Sequence, residues 1–153
     1  MSKTIYGMLF MAAILCHRAK AQDSTLFPRG QIGANTDNYT GIIWLNELNH
    51  PDSNFTFSLA QAVYAPGAKL DWHIHPGGQY LLITEGKGYY QEKGKPGKIV
   101  QKGDIIKCLP GVEHWHGAAP NSSFSYIGVT PIQKGKTIWL KRVTAEEYNS
   151  FNK

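Results

Sequence analysis

Short segments rich in β-branched and aromatic residues recur along this chain, and glycine, proline, asparagine or aspartate separates each segment from the next. The breaks, such as Ala65-Pro66-Gly67, can supply turn geometry. Strand-length segments at this spacing predict an all-β fold. The tail differs, because the residues from Thr144 to Glu147 have a capping-box pattern that predicts a short helix ending near Phe151. The predicted strands are residues 39–45, 55–64, 69–75, 79–85, 88–92, 98–101, 104–109, 114–118, 123–131 and 138–141.

The N-terminal stretch has the pattern of a secretory signal. Lys3 precedes an apolar segment over residues 8–16, and Ala19-Lys20-Ala21 then has the small-x-small form of a cleavage site. We expect residues 1–21 to be a signal peptide and residues 22–153 to form one domain, which is periplasmic or secreted after export. The apolar run is shorter than the ~20 residues of a permanent membrane span, so we expect no span. Lipid attachment at Cys16 is an alternative, although the bulky Leu15 before it is atypical.

Composition narrows the function classes. A length of 153 residues with 42% hydrophobic content suits a single domain with one core. The formal net charge is +5, but Lys3, Arg18 and Lys20 leave with the predicted signal peptide, so the mature chain is only slightly basic. The other lysines are scattered, and we expect no nucleic-acid partner. Cys108 is then the remaining cysteine, which excludes an intramolecular disulfide and predicts a buried, inert thiol.

Two histidine pairs with the same spacing are the main chemical feature of the sequence. His73 and His75 occupy alternate positions of a predicted strand, and His114 and His116 do the same in a later one. Alternate side chains of a strand share a face. Each pair therefore projects its imidazoles together, while Trp72 and Trp115 face the other way and are expected to pack against other residues. Imidazoles grouped on one face predict a metal site.

The glycines around the histidines extend this pattern to two motifs. The first comprises Gly67, His73, His75, Gln79 and Gly86, and the second comprises Gly103, Gly111 and His114. These motifs resemble those of the cupin superfamily, with glutamine where most members carry glutamate. The second motif departs at Leu109, where proline is usual, and at Ala118, where asparagine is usual. The resemblance implies an all-β, single-domain cupin, a double-stranded β-helix or jelly-roll barrel, with its motifs at residues 67–86 and 103–118.

A narrower resemblance covers residues 73–79, 103–106 and 110–120. These runs are similar to small single-domain bacterial cupins that act as manganese-dependent (R)-hydroxynitrile lyases, and to carboxymuconolactone-decarboxylase-associated cupins. The resemblance implies one divalent metal ion, first Mn(II), with Fe, Zn, Ni and Co as alternatives. Because the glutamine carries no charge, the ion is a stronger Lewis acid and non-redox chemistry is favoured. The implied ligands are His73, His75, Gln79 and His114, and an alternative for Gln79 is a hydrogen bond to a neighbouring ligand.

His116 lies outside this ligand set. We assign it to acid/base catalysis, because an unperturbed imidazole pKa near 6.5 suits proton transfer at neutral pH. Metal ligation and an orienting hydrogen bond are the alternatives. The resemblance also implies that Ala60, Ala62 and Thr130 shape the substrate pocket. Alternation agrees for the first two, since Ala60 and Ala62 share one face of a predicted strand.

The implied function is that of a metal-dependent lyase. It would act on a small-molecule substrate, reversibly cleaving a cyanohydrin to an aldehyde and HCN, with the metal as Lewis acid and His116 as acid/base. Two other classes stay open: a cupin dioxygenase that uses Fe(II), and a non-enzymatic cupin that binds a small ligand or a metal. Exposed strand edges are a liability that pairing removes, so we expect a homodimer.

Overall fold

The computed structural model describes residues 25–33 and 36–152. The predicted signal peptide, residues 1–21, lies outside the described residues. In the part of the chain that is described, no helix combines the length and the apolar character needed to cross a membrane.

Antiparallel strands and one short α-helix make up the regular structure of the described residues. The strands are β1 (Gln31–Ile32), β2 (Tyr39–Thr40), β3 (Ile43–Glu47), β4 (Phe57–Tyr64), β5 (Lys69–Leu70), β6 (His73–Ile74), β7 (Gln79–Glu92), β8 (Lys98–Gln101), β9 (Ile105–Cys108), β10 (His114–Ala118), β11 (Phe124–Pro131) and β12 (Ile138–Trp139). The helix is α1 (Ala145–Asn149), and 3₁₀ turns cover Thr36–Asn38 and Ser150–Asn152. The prediction of an all-β fold with a short C-terminal helix is confirmed.

Strand β7 joins two sheets into one curled wall. One sheet contains β1, β3, β4, β11, β7 and β9, and the other contains β2, β5, β10, β7 and β8, with β6 and β12 beside β10. The strand bends at Gly86, whose φ is 72°, and a Cβ there would lie 1.8 Å from the carbonyl oxygen of Ser123. The turn-like glycines explain why the sequence predicted two strands, 79–85 and 88–92, where the structure has one continuous strand.

Two other predicted strands are divided in the structure. The segment 39–45 splits into β2 and β3 at Gly41, whose φ is 88°. The segment 69–75 splits into β5 and β6, because the backbone N–H groups of Asp71 and Trp72 bond to other segments. Strand β6 ends at Ile74, so His75 lies just beyond the regular strand.

Two hydrophobic clusters lie on either side of strand β10. The larger one takes residues from both sheets, among them Tyr64, Leu81 and Tyr126. Because side chains alternate along a strand, His116 contacts this interior cluster, whereas Trp115 is buried in the smaller one. The expected packing role of Trp72 and Trp115 and the buried state of Cys108 are confirmed. The smaller cluster comprises Trp72, Tyr89, Trp115, Ala119, Val143 and Tyr148.

Helix α1 begins with the predicted capping box. The Thr144 hydroxyl accepts a hydrogen bond from the backbone N–H of Glu147 at 3.1 Å, and the Glu147 carboxylate accepts one from the N–H of Thr144 at 2.9 Å. The buried Tyr148 hydroxyl donates to the carbonyl of Ala118 at 2.7 Å. The helix is thereby fixed to the end of the strand that carries His114 and His116.

Candidate metal centre

Three buried imidazoles meet where β6 pairs with β10. The antiparallel register sets His73 opposite His114, and their ring centroids are 4.4 Å apart. His116 follows two residues later on the same face, with its centroid 5.3 Å from that of His73. Each of the three contributes one nitrogen to a group whose atoms all lie within 4.8 Å of one another. Such a group could bind one metal ion.

Backbone carbonyls fix the orientation of two of these rings. His73 donates from Nδ1 to the carbonyl of Asp71 at 2.7 Å, and His114 donates from Nδ1 to the carbonyl of Val112 at 2.9 Å. Because a carbonyl only accepts, Nδ1 carries the hydrogen and the neutral ring keeps a lone pair on Nε2. Both Nε2 atoms are buried without a hydrogen-bond partner. A metal ion would satisfy them, and this tethering is what metal-binding histidines show.

Gln79 presents an oxygen in the same way. Its amide nitrogen donates to the Thr130 hydroxyl at 2.9 Å, and its Oε1 is buried without a partner. An amide oxygen can bind a metal, whereas the amide nitrogen cannot. Thr130 therefore orients the side chain so that the oxygen is the free end. The unpartnered atoms of His73, His114 and Gln79 together fit a divalent cation of borderline softness.

His75 is held at a different position. Its Nδ1 is 3.2 Å from the Thr137 hydroxyl, and its ring centroid is 5.1 Å from that of His73 and 5.5 Å from that of His114. It is the one predicted histidine ligand outside the tight group of nitrogens. The strand ends at Ile74, so the alternation that would align His75 with His73 stops before it.

His116 differs from His73, His75 and His114 because no hydrogen bond from the described residues orients its ring. Both of its nitrogens are buried and have no hydrogen-bond partner in that part of the chain. The ring makes T-shaped contacts with Tyr126, with centroids 5.1 Å apart at an interplanar angle of 88°, and with Tyr64 at 6.2 Å. Distance alone would group His116 with His73 and His114. The hydrogen bonds that orient His73 and His114 distinguish those two rings from His116.

Burial keeps the imidazoles neutral. It lowers the pKa of His73 and His116 well below the usual value, with nearby imidazoles adding to the effect. Burial and the neighbouring His114 lower the pKa of His75 to about 4, and burial also lowers that of His114. Neutral rings have lone pairs that can bind a metal or accept a proton. The unperturbed pKa near 6.5 that we expected for His116 is not found, because burial makes this ring a weaker base. Its assignment to proton transfer therefore depends on its position and its unpartnered nitrogens.

A cavity of about 480 Å³ opens beside these imidazoles. Ala62 is one of its lining residues, while Ala60 and Thr130 are not. Leu45 and Trp139 line it and are partly exposed, so they lie toward its opening. The lining residues are Gly33, Asn38, Tyr39, Ile43, Leu45, Ala62, Tyr64, Leu70, His73, His75, Gln79, His116, Tyr126, Thr137 and Trp139.

Several lining residues were not anticipated from the sequence. Tyr64 could have been, because it lies two residues after Ala62 on one strand and therefore on the same face. Tyr126 was predicted within a strand, but no motif marked it. Thr137 and Trp139 lie in and beside the short strand β12, and only the pairing of β12 with β6 brings them to the site.

Comparison with known proteins gives this geometry a context. A family model described as the cupin domain matches residues 60–129. An (R)-mandelonitrile lyase from Granulicella tundricola is 34% identical over 113 residues, which are 73% of this chain and 86% of that protein. The crystal structure of a cupin-like protein from Thermotoga maritima has a TM-score of 0.78 and 44% identity, and the match covers 82% of this chain and 96% of that one. A predicted oxalate decarboxylase from Thermotoga maritima shares the fold, with a TM-score of 0.59 at 19% identity over 72% of this chain and 91% of that one.

Proposed function

The chain belongs to the cupin family, and we propose that it is a metal-dependent lyase of the hydroxynitrile lyase type. It would cleave a cyanohydrin reversibly to an aldehyde and HCN. The observation that carries the proposal is a difference in hydrogen bonding among the buried polar side chains. His73, His114 and Gln79 each have one end tethered and one end unpartnered, while His116 beside them has both nitrogens unpartnered.

His73, His75, Gln79 and His114 would hold the metal ion. We propose Mn(II), with Fe, Zn, Ni and Co as alternatives, because imidazole and amide donors suit borderline divalent ions. When bound, the ion would supply Lewis-acid stabilisation of negative charge on a substrate oxygen. His75 completes the set because its Nδ1 is held by Thr137, as the Nδ1 of each other ligand histidine is held by a carbonyl.

His116 would move the proton of the reaction. A buried neutral imidazole with both nitrogens unpartnered can accept the proton of the substrate hydroxyl. The electron pair left on the oxygen forms the carbonyl bond of the aldehyde, and the electron pair of the carbon–carbon bond leaves with cyanide. His116 then returns the proton to cyanide, which departs as HCN. The lack of a tether favours this role over ligation, since a metal-binding ring is normally oriented through its other nitrogen.

The cavity and the relatives support this substrate class. A volume of about 480 Å³ accommodates a small aromatic or aliphatic cyanohydrin. Ala62 on the wall leaves room for a substituent, and we keep Ala60 and Thr130 as further residues that shape the pocket. The Granulicella tundricola relative is a lyase whose name specifies (R)-mandelonitrile.

Mandelonitrile cleavage by protein reconstituted with Mn(II) tests the proposal. We expect aldehyde release above the uncatalysed background. His116→Gln should lower kcat by about 10²- to 10⁴-fold with metal content unchanged, whereas His114→Ala should lower metal content and activity together. His50→Gln, at an exposed histidine, is the matched control.

Three outcomes would overturn parts of the proposal. Absence of cleavage together with oxygen uptake by the Fe(II)-loaded protein would identify a dioxygenase instead. Metal binding without turnover on any small cyanohydrin, lactone or acid would favour a non-enzymatic cupin. Loss of metal from His116→Gln, to the extent seen in His114→Ala, would make His116 a ligand and remove it as the base.

We also propose that the protein is exported and works as a homodimer. Strand β1 pairs only with β3 among the described strands, and its Ile32 is 59% exposed. An edge of this kind is available for a second copy. Sedimentation of the purified domain at two concentrations tests the dimer, and the N-terminal sequence of the mature protein tests cleavage after Ala21. A monomer, or an intact N-terminus, would contradict the respective statement.

A further inference from the structure

A pair of buried tyrosines forms a polar patch in the wall of the cavity. Tyr64 is fully buried and Tyr126 is 6% exposed, and their hydroxyl oxygens are 2.9 Å apart. Both side chains line the cavity, on the adjacent strands β4 and β11. Apolar side chains, including Ile43 and Leu70, also line this cavity.

The pair has one hydrogen more than it uses. Each hydroxyl carries one hydrogen, and the bond between the two hydroxyls consumes one of them. Neither hydroxyl makes another hydrogen bond within the described residues. One O–H group in the cavity wall is therefore left without an acceptor. Buried donors are almost always satisfied, so such a group calls for a partner that the described residues do not supply.

The rings of the two tyrosines lie beside the imidazole that we assign as the base. The Tyr126 ring is 5.1 Å from the His116 ring, centroid to centroid, whereas Tyr64 is 6.2 Å away. Tyr126 is also the less completely buried of the two. The arrangement in which Tyr64 donates to Tyr126 leaves the free hydrogen on Tyr126, the tyrosine whose ring is nearer to that of His116.

We infer that Tyr126, with Tyr64 donating to it, donates a hydrogen bond to the nitrile nitrogen of a cyanohydrin. This inference rests on the proposed function and adds the recognition of the leaving group. As the carbon–carbon bond breaks, its electron pair moves onto cyanide, and negative charge develops there. A hydrogen bond to that nitrogen is stronger in the transition state than in the bound substrate, which lowers the barrier. The phenol keeps its hydrogen, and the proton that makes HCN comes from His116.

Kinetics with mandelonitrile tests the role of Tyr126. Tyr126→Phe should lower kcat by about 10- to 100-fold with a smaller change in KM, as expected for a lost hydrogen bond to a charged group. Tyr64→Phe leaves the Tyr126 hydroxyl in place and should cost only a few-fold. Tyr148→Phe is the control, since it removes a buried hydroxyl on the opposite side of β10. A larger loss in Tyr64→Phe than in Tyr126→Phe, or equal activity of Tyr126→Phe and wild type, would overturn the assignment.

A binding measurement separates this inference from the proposed function. Phenylacetonitrile has the nitrile but not the hydroxyl, so it cannot react, and its binding to metal-free protein can be followed by calorimetry and by the infrared band of the nitrile. We expect a hydrogen-bonded nitrile band in the wild type that Tyr126→Phe abolishes. The affinity of Tyr126→Phe for phenylacetonitrile should fall by about 2- to 10-fold, whereas its affinity for toluene, which lacks the nitrile, should not change. Cleavage of mandelonitrile without a Tyr126-dependent band would overturn this inference and leave the function standing. A Tyr126-dependent band without cleavage would overturn the function and the leaving-group role, while the nitrile site itself would stand.

Discussion

Gln79 shows how a neutral side chain can be made to present one particular atom. A carboxylate has two equivalent oxygens, and either can bind a metal. An amide can turn either its oxygen or its NH2 group toward a metal, and only the oxygen binds. The Thr130 hydroxyl accepts a hydrogen bond from the amide nitrogen at 2.9 Å and leaves the oxygen unpartnered. The neutral donor therefore depends on a second residue, 51 positions later in the chain.

Replacing Thr130 tests this dependence. Thr130→Val keeps the shape but removes the acceptor, so Gln79 loses its preferred orientation. We expect Mn(II) affinity to fall by about 10-fold or more, which is typical of residues that orient a metal ligand. Thr130→Ser keeps the hydroxyl and should bind like the wild type in the same calorimetric titration. Equal affinity in Thr130→Val would mean that the threonine does not orient Gln79.

The sequence could predict the histidines of the site more readily than the rest of it. His73 and His114 stand in motifs with fixed spacing, and strand alternation places His114 on one face with His116. His75 was predicted from the same alternation, but the strand ends at Ile74 and the alternation does not extend to it. Tyr126 could not be singled out, since its relation to His116 arises only from the curling of β11 and β10 around β7.

Strand β10 carries the histidines of the candidate metal centre on one face and a packing residue on the other. His114 and His116 point to the candidate metal centre, while Trp115 packs near Tyr148 of helix α1, with ring centroids 6.1 Å apart. The helix also fixes the end of the strand through the hydrogen bond from Tyr148 to Ala118. The sequence predicted this helix from its capping box, whereas it divided β7 wrongly because glycines that usually mark turns lie inside a bent strand.

The capping box should contribute measurably to stability. Thr144→Ala removes the oxygen that accepts from the N–H of Glu147 at 3.1 Å. We expect the free energy of unfolding in urea to fall by about 1 kcal/mol, while Thr144→Ser should stay close to the wild type. Metal affinity should change little, because the helix lies behind β10. No change in the unfolding free energy of Thr144→Ala would show that α1 is not part of the cooperative unit.

For the whole molecule, the buried imidazoles tie stability to pH. Four histidines with lowered pKa values lie in one region of the barrel. In the unfolded chain each returns to the ordinary value of 6.5. Between that value and the lowered one, the unfolded state binds protons that the folded state does not. Folding is thus coupled to keeping these rings neutral, and a bound metal would strengthen the coupling because it also requires deprotonated rings.

The metal-free protein should therefore lose stability in mild acid. The contribution of the neutral rings to the free energy of unfolding is fully present above pH 6.5. It is lost as the pH falls toward about 4, the value to which the pKa of His75 is lowered. His75 alone would contribute on the order of 3 kcal/mol over that range. Urea unfolding of the metal-free protein at several pH values measures the slope. His116→Leu removes one buried imidazole and should flatten the slope, whereas the exposed His50→Gln should not change it. A stability that stays constant from pH 7 to pH 4.5 would mean that the folded and unfolded states bind the same number of protons, so that folding does not lower the pKa values of these rings.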